Sequence, residues 1–387
     1  MTLNYFPILF HLESLVALFF GRMIIENNII GSCMIMYKND PIQEVPFSKI
    51  NLNDSFFDSL RSDYDGFDNW FKKKSNSGTK AYVLYKETGA LWAFLYLKDE
   101  TVSDDTINPE FTLHRRLKIG TFKIEAHRTV LGQRFMTIIL RKMISENYDF
   151  TYVTFLPKQK HLKGLFEKFG FKEWGTKNKE LVYYKDLVYT GNIYKDFPRI
   201  SMKNKSENLL SVWPKYHTQL FPDSRLNTEN NFQREDVAFA NTIEKVYLTK
   251  MSGVNDLSKG DLLVIYRTAE NGKKAYYNSV ATSICTVIEV KTIQDFANFI
   301  SFKDYCGKGT IFTDRELSYF YDSKRYPYIV KMLYNFPLEN RIIRKALLED
   351  VGLPTSQETY WGYINLNNEQ FKKVLELGGI NENFIIN

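Results

Sequence analysis

Hydrophobic residues recur along this chain at two spacings, which separate predicted helices from predicted strands. Residues 131–148 (LGQRFMTIILRKMISENY) and 160–171 (KHLKGLFEKFGF) repeat apolar positions at helical intervals. Residues 81–100 (AYVLYKETGALWAFLYLKDE) contain two strand-like runs around Thr88-Gly89-Ala90, which predicts a hairpin. Residues 54–74 predict two short amphipathic helices interrupted at Gly66. With strand-like runs at 115–126, 149–156 and 180–187, the order is helices, hairpin, strand, helix, strand, helix, strand.

A change in pattern divides the chain. Residues 190–240 lack regular periodicity and are rich in Asn, Ser, Pro and Asp. After them come β-rich runs interleaved with shorter helical patterns, typical of a mixed α+β domain around a small barrel or curved sheet. The pattern therefore predicts a leader at 1–44, a first domain at 45–190, a linker at 191–240 and a second domain at 241–387.

Composition limits the kind of protein and its compartment. The chain has 387 residues and is 44% hydrophobic, enough for a sizeable core. Its three cysteines (Cys33, Cys285 and Cys306) form no CxxC pair and have no neighbouring histidine cluster, which argues against a disulfide framework and against a metal site. A reducing, cytoplasmic location is expected. The apolar opening contains His11 and Glu13, which favours a packed leader helix or an upstream extension over a membrane anchor.

The distribution of charge favours an acidic partner. The formal net charge is +6, and residues 121–180 contain twelve basic and six acidic side chains. This segment alone therefore matches the net charge of the whole chain. RNA is one partner that such a stripe fits, and a solvated basic face is the alternative.

One glycine turn stands out within the basic segment. Residues 122–135 (FKIEAHRTVLGQRF) run from a predicted strand through Gly132 into the start of a long helix. A helix start exposes backbone N–H groups and the positive end of the helix dipole. Arg128 and Arg134 flank the turn, and guanidinium groups bind phosphate in a bidentate way. The pattern predicts a phosphate-binding turn, with two solvated arginines as the alternative.

This order of elements, the Gly132 turn and the sequence LFEKFGF at 165–171 resemble the GNAT superfamily of acetyl-CoA-dependent N-acyltransferases over residues 45–187. In that family the backbone amides of the turn hold the pyrophosphate of coenzyme A. Gly132 matches the motif's last small residue, and Val130 replaces its earlier glycine. The resemblance implies an α/β GNAT fold with acetyl-CoA as cofactor. The cofactor site that it implies consists of Phe122, Ile124, Arg128, Val130, Leu131, Gly132, Gln133 and Arg134.

The resemblance leaves the acid and base of the reaction open. Phe166 stands where the family places the tyrosine that protonates the departing thiolate, and phenylalanine cannot do this. Glu125, near the end of the central strand, is one candidate base, and a surface carboxylate is its alternative role. His127 is the other candidate base, and Tyr183 is a candidate proton donor. Residues 60–75 also resemble a helical segment of the subgroup that includes tRNA-acetylating toxins, which implies an RNA-borne amine as acceptor.

The second domain resembles PUA-like folds, the group that includes ASCH and EVE domains. KGDLLVIYRT at 259–268, followed by SVATSICTVIEV at 279–290, carries this resemblance. It implies a β-barrel that binds RNA or a modified base, since such modules stack bases on aromatic rings. Tyr266, Arg267, Thr268 and Trp361 are the candidate contacts, with core packing as the alternative for the aromatic residues.

The sequence thus predicts an acetyl-CoA-dependent N-acetyltransferase with a PUA-like module that recruits RNA, including tRNA. A catalytically degenerate GNAT-fold protein that binds RNA or a modified base is the rival. A third hypothesis is that the chain acetylates protein or small amines. The second domain would then be a homodimer surface.

Overall fold

The computed structural model describes residues 42–125, 130–224, 226, 242–354 and 361–386. The predicted leader (except 42–44), His127 and Arg128 lie outside the described residues. Within those ranges, no helix has the length and apolarity needed to cross a membrane. In the same ranges, no group of three or more His, Cys, Asp or Glu side chains could hold a metal ion.

The described residues contain ten α-helices and sixteen strands. The helices are α1 (Asp58–Asp63), α2 (Phe67–Asn76), α3 (Leu131–Ser145), α4 (Lys160–Lys168), α5 (Pro214–Leu220), α6 (Ala275–Asn278), α7 (Phe299–Cys306), α8 (Asp314–Ser323), α9 (Arg344–Glu349) and α10 (Asn368–Leu377). The first eight strands are β1 (Gln43–Pro46), β2 (Lys80–Tyr85), β3 (Leu91–Glu100), β4 (Ile107–Asn108), β5 (Arg116–Ile124), β6 (Phe150–Phe155), β7 (Lys172–Lys177) and β8 (Glu180–Lys185). The others are β9 (Ile200–Ser201), β10 (Glu207–Val212), β11 (Glu244–Thr249), β12 (Leu262–Arg267), β13 (Val280–Thr292), β14 (Tyr328–Ile343), β15 (Tyr363–Leu366) and β16 (Ile385–Ile386).

Strands β1 to β8 form a mixed sheet in the order β1-β2-β3-β5-β6-β8-β7-β4. Its neighbouring strands are antiparallel except β5 and β6, which are parallel. A parallel pair needs a crossover connection, and α3 provides it. This sheet with α1 to α4 is called the first lobe, and its mixed α/β character is as predicted.

Glycines at the predicted positions end or join these elements. Gly89 has φ +82° in the β2–β3 turn, where Lys86 N–H donates to Ala90 O at 2.8 Å. Gly66 has φ +79° between α1 and α2, and Gly170 has φ +85° just after α4. A side chain is disfavoured in this left-handed region, so glycine allows each reversal. The sequence predicts one closing strand after α4. The structure has a hairpin there, because Lys172–Lys177 forms a further strand that precedes the predicted one.

The two faces of the first sheet pack against different helices. Phe94 of β3 contacts Phe57 at 5.4 Å between ring centroids, which places α1 and α2 on its side. Phe122 of β5 contacts Phe135 of α3 at 6.0 Å and Phe166 of α4 at 5.7 Å, on the other side. The alternation of side chains along a strand therefore gives each face its own aromatic core.

The second lobe consists of β9 to β16 with α5 to α10, and its described strands form an open sheet in place of the predicted barrel. Six strands form a sheet in the order β11-β14-β13-β12-β10-β15, in which only β10 and β12 are parallel. Its end strands β11 and β15 do not pair with each other among the described residues, so these strands form an open sheet. The long strands β13 and β14 carry several register shifts, which bend a sheet without requiring closure.

The predicted linker contributes to this second sheet. Strand β10 lies between β12 and β15, and all six of its residues are buried. It reads ENLLSV, without the alternation of a half-exposed strand, because both of its faces are covered. The second lobe therefore begins near Ile200, about forty residues before the predicted start of the second domain.

A buried carboxylate of the second lobe joins the lobes. Arg134 Nη2 donates to Asp223 Oδ1 at 2.6 Å, and Arg134 Nη1 bonds to Asp223 Oδ2. Further along α3, Arg141 Nη1 lies 3.3 Å from the same oxygen and its Nη2 donates to Asn335 O at 2.9 Å. The side chain of Asp223 is only 2% exposed. Helix α3 is therefore bonded to the second lobe along much of its length.

We expect Asp223→Asn to lower the free energy of unfolding by about 3–5 kcal/mol, because it removes the buried carboxylate that two arginines share. Urea unfolding followed by circular dichroism measures this loss. Asp68→Asn is the matched control, since Asp68 pairs with Arg61 at a half-exposed position, and we expect a loss below about 1 kcal/mol there. Equal losses in the two variants would contradict a special role for Asp223.

Lys245 makes the stability of this junction depend on pH. Its side chain is fully buried near Asp223, Arg134, Arg141 and Cys285, and burial lowers the pKa of its ammonium to about 7 despite the favourable charge of Asp223. The unfolded chain keeps the ordinary pKa of 10.5. Between these values the unfolded state binds more protons, so stability rises with pH.

Wild-type stability should therefore rise relative to Lys245→Met, by about 2 kcal/mol from pH 7 to pH 9. The variant lacks the amine that the unfolded wild type protonates in this window. Paired urea titrations at the two pH values measure the difference. Parallel pH dependences of wild type and variant would show that Lys245 titrates normally.

Candidate functional site

The two parallel strands of the first lobe separate. Strand β5 has nine residues, but only Arg116–Ile119 pair with β6, at Phe150–Val153. The remainder of β5 pairs only with β3 on its other side. The space between Gly120–Ile124 of β5 and Thr154–Phe155 of β6 is called the strand gap. It interrupts the sheet at its centre, so backbone groups of β5 are open to a ligand there.

The register of β5 and β3 shows which backbone amides face the strand gap. Glu125 N–H donates to Trp92 O at 3.0 Å, toward β3. Amides alternate in direction along an antiparallel strand, so those of Phe122 and Ile124 point away from β3, into the gap. The structure thus brings together the backbone donors of two predicted cofactor contacts.

The turn before α3 adds two more donors beside the gap. Val130 precedes the helix with φ −90°, so it needs no glycine. Gln133 N–H donates to Val130 O at 2.9 Å, whereas the amides of Leu131 and Gly132 have no acceptor within the described part of the chain. They lie at the positive end of a fifteen-residue helix. Such a helix start can bind a phosphate through its backbone alone.

Position 132 requires a small residue because helices α3 and α4 approach each other closely there. A Cβ atom on Gly132 would lie 3.0 Å from Leu165 Cδ2 of α4 and 3.8 Å from Ile124 Cδ1. Its φ is not in the left-handed region, so its role is close approach rather than an unusual backbone angle. The glycine holds α3 and α4 near each other where the gap opens.

The side chains of the turn are used for packing and for the contact between lobes. Leu131 is buried in the core. Gln133 Oε1 accepts from Thr242 Oγ1 at 3.0 Å and from Ile243 N–H at 3.2 Å. Arg134 is bound by Asp223, a partner that the sequence pattern gave no means of finding. The guanidinium of Arg134 therefore already has a carboxylate partner. Its predicted contact with a phosphate stays a prediction.

Phe166 lies at the bottom of the gap, inside an aromatic cluster. Its ring is fully buried, stacked on Phe155 at 6.1 Å and in edge contact with Phe171 at 4.7 Å and Phe122 at 5.7 Å. Phe155 and Phe171 are buried as well, and the ring of Tyr183 packs on Phe155 at 5.1 Å between ring centroids. The position that supplies an acid in the resembling family therefore supplies packing here.

The predicted acid and base residues have separate surroundings. Glu125 accepts from Lys86 Nζ at 3.1 Å, on the hairpin side of β5. Tyr183 of β8 donates to Glu173 Oε2 at 3.1 Å, and burial raises the pKa of its phenol. Neither side chain contacts the other, and the catalytic roles of both stay predictions.

A third carboxylate, which the sequence pattern did not reveal, lies at the end of β6. Glu180 Oε1 accepts from Tyr64 Oη at 2.9 Å, and its Oε2 accepts from Thr154 Oγ1 at 2.8 Å. The three residues come from the α1–α2 connection, β6 and the β7–β8 hairpin. Because they are far apart in sequence, no local motif could have predicted their contact.

In the second lobe, two predicted contacts form an aromatic pair. Tyr266 and Trp361 lie 5.4 Å apart between ring centroids, and the Arg344 guanidinium lies 4.0 Å from the Trp361 ring. Tyr266 Oη and Trp361 Nε1 are buried without a hydrogen-bond partner. Burial raises the pKa of Tyr266, while Ser279 and Arg344 nearby lower it. Buried polar atoms without a partner are unusual in a packed core.

The other predicted contacts of this lobe are bonded locally. Arg267 donates to Glu270 Oε1 at 2.5 Å, so the arginine at the end of β12 has a carboxylate partner. Thr268 donates its N–H to Val212 O at 3.1 Å. Close to Arg267, His217 of α5 bonds through its Nε2 to Thr282 Oγ1 at 2.8 Å, and its Nδ1 is buried without a partner. Burial and the charges of Arg267 and Arg341 lower the pKa of His217, so it is neutral.

Comparisons with known proteins give structural similarity only. No family model matches the sequence, and no curated protein matches it. A GNAT-family acetyltransferase from Listeria monocytogenes is 14% identical with a TM-score of 0.29, covering 38% of this chain and 95% of its own. The N-acetyltransferase PseH from Campylobacter jejuni is 11% identical with a TM-score of 0.26, covering 38% and 100%. A mutant of ZmASCH from Zymomonas mobilis is 10% identical with a TM-score of 0.29, covering 45% and 97%. Scores this low assign no family, and the function must be inferred from the geometry of the site.

Proposed function

We propose that the first lobe transfers an acetyl group from acetyl-CoA to an amine, as GNAT enzymes do. One observation carries this proposal: β5 and β6 are parallel and separate after Ile119. The separation leaves the amides of Phe122 and Ile124 facing a gap beside the start of α3. A pantetheine chain is extended and amide-containing, so it can bond to a strand edge of this kind.

The proposed cofactor site uses backbone groups. The amides of Leu131 and Gly132 would bind the pyrophosphate at the helix start, and those of Phe122 and Ile124 would bind the acyl end. An amide of β5 directed at the thioester oxygen stabilises the negative charge that forms there during attack by the amine. The Phe166 cluster excludes water from the thioester and strengthens that interaction.

The aromatic cluster also determines how the leaving group departs. Phe166 supplies no proton, and Tyr183, whose ring lies 5.1 Å from that of Phe155, donates its hydroxyl to Glu173. We therefore expect the sulfur to leave as thiolate. The ordinary pKa of a thiol is about 8.5, so its thiolate is a weak enough base to leave without protonation. Such an enzyme depends more on the removal of the amine proton than on protonation of the sulfur.

We further propose that the acceptor amine is carried by RNA, such as an aminoacyl-tRNA. The excess of six basic side chains within residues 121–180 supports this substrate class. The second lobe would then recruit the RNA.

Acetyl-CoA should bind the wild type with micromolar Kd in calorimetry, and Gly132→Glu should abolish binding, because a carboxylate at the helix start repels the pyrophosphate. Gly164→Glu is the matched control: it adds the same charge on the neighbouring helix, where a Cβ atom has no neighbour within 4 Å. Its Kd should stay within about twofold of the wild type, a difference below about 0.5 kcal/mol. A wild type that binds no acetyl-CoA would overturn the proposal.

A second candidate function is binding of single-stranded RNA or a modified base by the second lobe, without acetyl transfer. The unpartnered polar atoms of Tyr266 and Trp361, with Arg344 over the indole, support it. Aromatic faces stack on bases, and buried donors can read base edges.

For this function, Trp361→Phe should weaken binding of a fluorescein-labelled single-stranded RNA about tenfold, because it removes the indole N–H and keeps a ring. Fluorescence anisotropy measures the affinity. Trp213→Phe is the matched control, since Trp213 is 66% exposed. Binding that is equally strong in Trp361→Phe would exclude this indole as a contact.

A further inference from the structure

We propose that Glu180 binds the acceptor's ammonium group in the strand gap and then removes its proton. This inference rests on the proposed acetyl transfer, and it names a residue that sequence reasoning and the resemblance to GNAT enzymes did not assign.

The position of Glu180 follows from the side-chain alternation of β6. Phe155 points toward α4, where it stacks on Phe166. Thr154, one residue earlier, points to the opposite face and donates to Glu180 at 2.8 Å. The same alternation on β5 directs Phe122 toward α4 and Lys123 toward α1, where Lys123 Nζ donates to Ser59 Oγ at 2.6 Å. Thr154 borders the strand gap, so Glu180, on the adjacent strand β8, lies beside the end of β6 on the face opposite the aromatic cluster.

This placement separates the two substrates. A cofactor that enters from the start of α3 lies on the α3–α4 face. An acceptor must then approach the thioester through the gap from the α1–α2 face. Glu180, Thr154 and Tyr64 border that approach.

Glu180 differs from the neighbouring carboxylates in its partners. Asp63 pairs with Lys158 at 2.5 Å, and Glu125 pairs with Lys86 at 3.1 Å. Glu180 accepts hydrogen bonds from two neutral hydroxyls and has no ion-pair partner among the residues that the structure describes. A half-buried carboxylate without a cation favours a positively charged ligand.

The hydroxyl of Tyr64 is a lasting hydrogen-bond donor to the Glu180 carboxylate. Burial and the Glu180 carboxylate raise the pKa of Tyr64, so the phenol remains a donor across the working pH range. Two donors hold both oxygens of Glu180, and their remaining lone pairs are available to an ammonium.

The chemistry balances without any further reactant. The acceptor enters as R–NH3⁺ and gives one proton to Glu180, which leaves the neutral amine. Its nitrogen attacks the thioester carbon, the C–N bond forms, and the C–S bond breaks with its electron pair on sulfur. The second nitrogen proton neutralises the thiolate, and Glu180 returns its proton to water. Primary and secondary alkylamines and α-amino groups are the acceptors that fit this step.

The test compares wild type, Glu180→Gln and Glu180→Asp as full-length proteins. The acceptor probes are aminoacylated bulk tRNA, poly-L-lysine and spermidine, each with labelled acetyl-CoA, and rates are measured from about pH 5.5 to about pH 9.5. Glu180→Gln should lower kcat/KM for the active probe about 100-fold or more, because the base is lost. It should also lose the wild-type decline in rate at acid pH, and Glu180→Asp should restore part of both.

Calorimetry with acetyl-CoA shows whether each variant keeps the cofactor site, and we expect unchanged Kd values. Glu110→Gln, an exposed carboxylate on the same lobe, is the control and should keep wild-type rates. A uniform loss of rate with an unchanged pH profile would assign Glu180 a structural role and overturn this inference. Wild-type rates in Glu180→Gln would also overturn it and leave acetyl transfer established. Transfer to none of the probes by wild type would overturn the proposed function, and this inference with it.

Discussion

The buried carboxylate of Asp223 is the interaction on which the arrangement of this protein depends. It lies in the second lobe and binds two arginines of α3, the helix that crosses from β5 to β6 in the first lobe. A buried carboxylate is stable only when cations and donors compensate its lost hydration. The position of α3 is therefore set by both lobes, and so is the start of that helix beside the strand gap.

This arrangement explains why the arginine nearest the glycine turn is not directed at the gap. Arg134 is used to join the lobes, and Gln133 bonds to the start of β11. The turn offers its backbone to a ligand, and sequence substitutions alter backbone groups little. Val130 can therefore replace a glycine there, since its φ is ordinary.

The aromatic cluster around Phe166 and the hydroxyl-bound carboxylate of Glu180 occupy opposite faces of one gap. The cluster is apolar, whereas Glu180 accepts from two hydroxyls and has no ion-pair partner among the described residues. The proposed transfer from a thioester to an amine would use both environments at the same time. The side-chain alternation of β6, from Thr154 to Phe155, is the physical origin of the division.

Much of the fold could be predicted from local patterns. The β2–β3 hairpin follows from Gly89, and the end of α4 follows from Gly170, because each requires a positive φ. The helical spacing of residues 131–148 likewise predicts α3. Strand β10 escaped prediction because it is buried on both faces and shows no alternation. Of the predicted barrel or curved sheet, the described strands of the second lobe form an open sheet, because strand patterns do not determine whether sheet edges meet.

The sequence by itself determined most of the elements, the glycine turn and the absence of an acid at position 166, because each depends on residues close together in the chain. Tertiary structure alone decided that β5 and β6 separate after Ile119, that Arg134 is bound by Asp223, and that Tyr64, Thr154 and Glu180 meet. These contacts join residues 26 to 116 positions apart. Their formation depends on how whole elements pack, a property that no local pattern of side chains encodes.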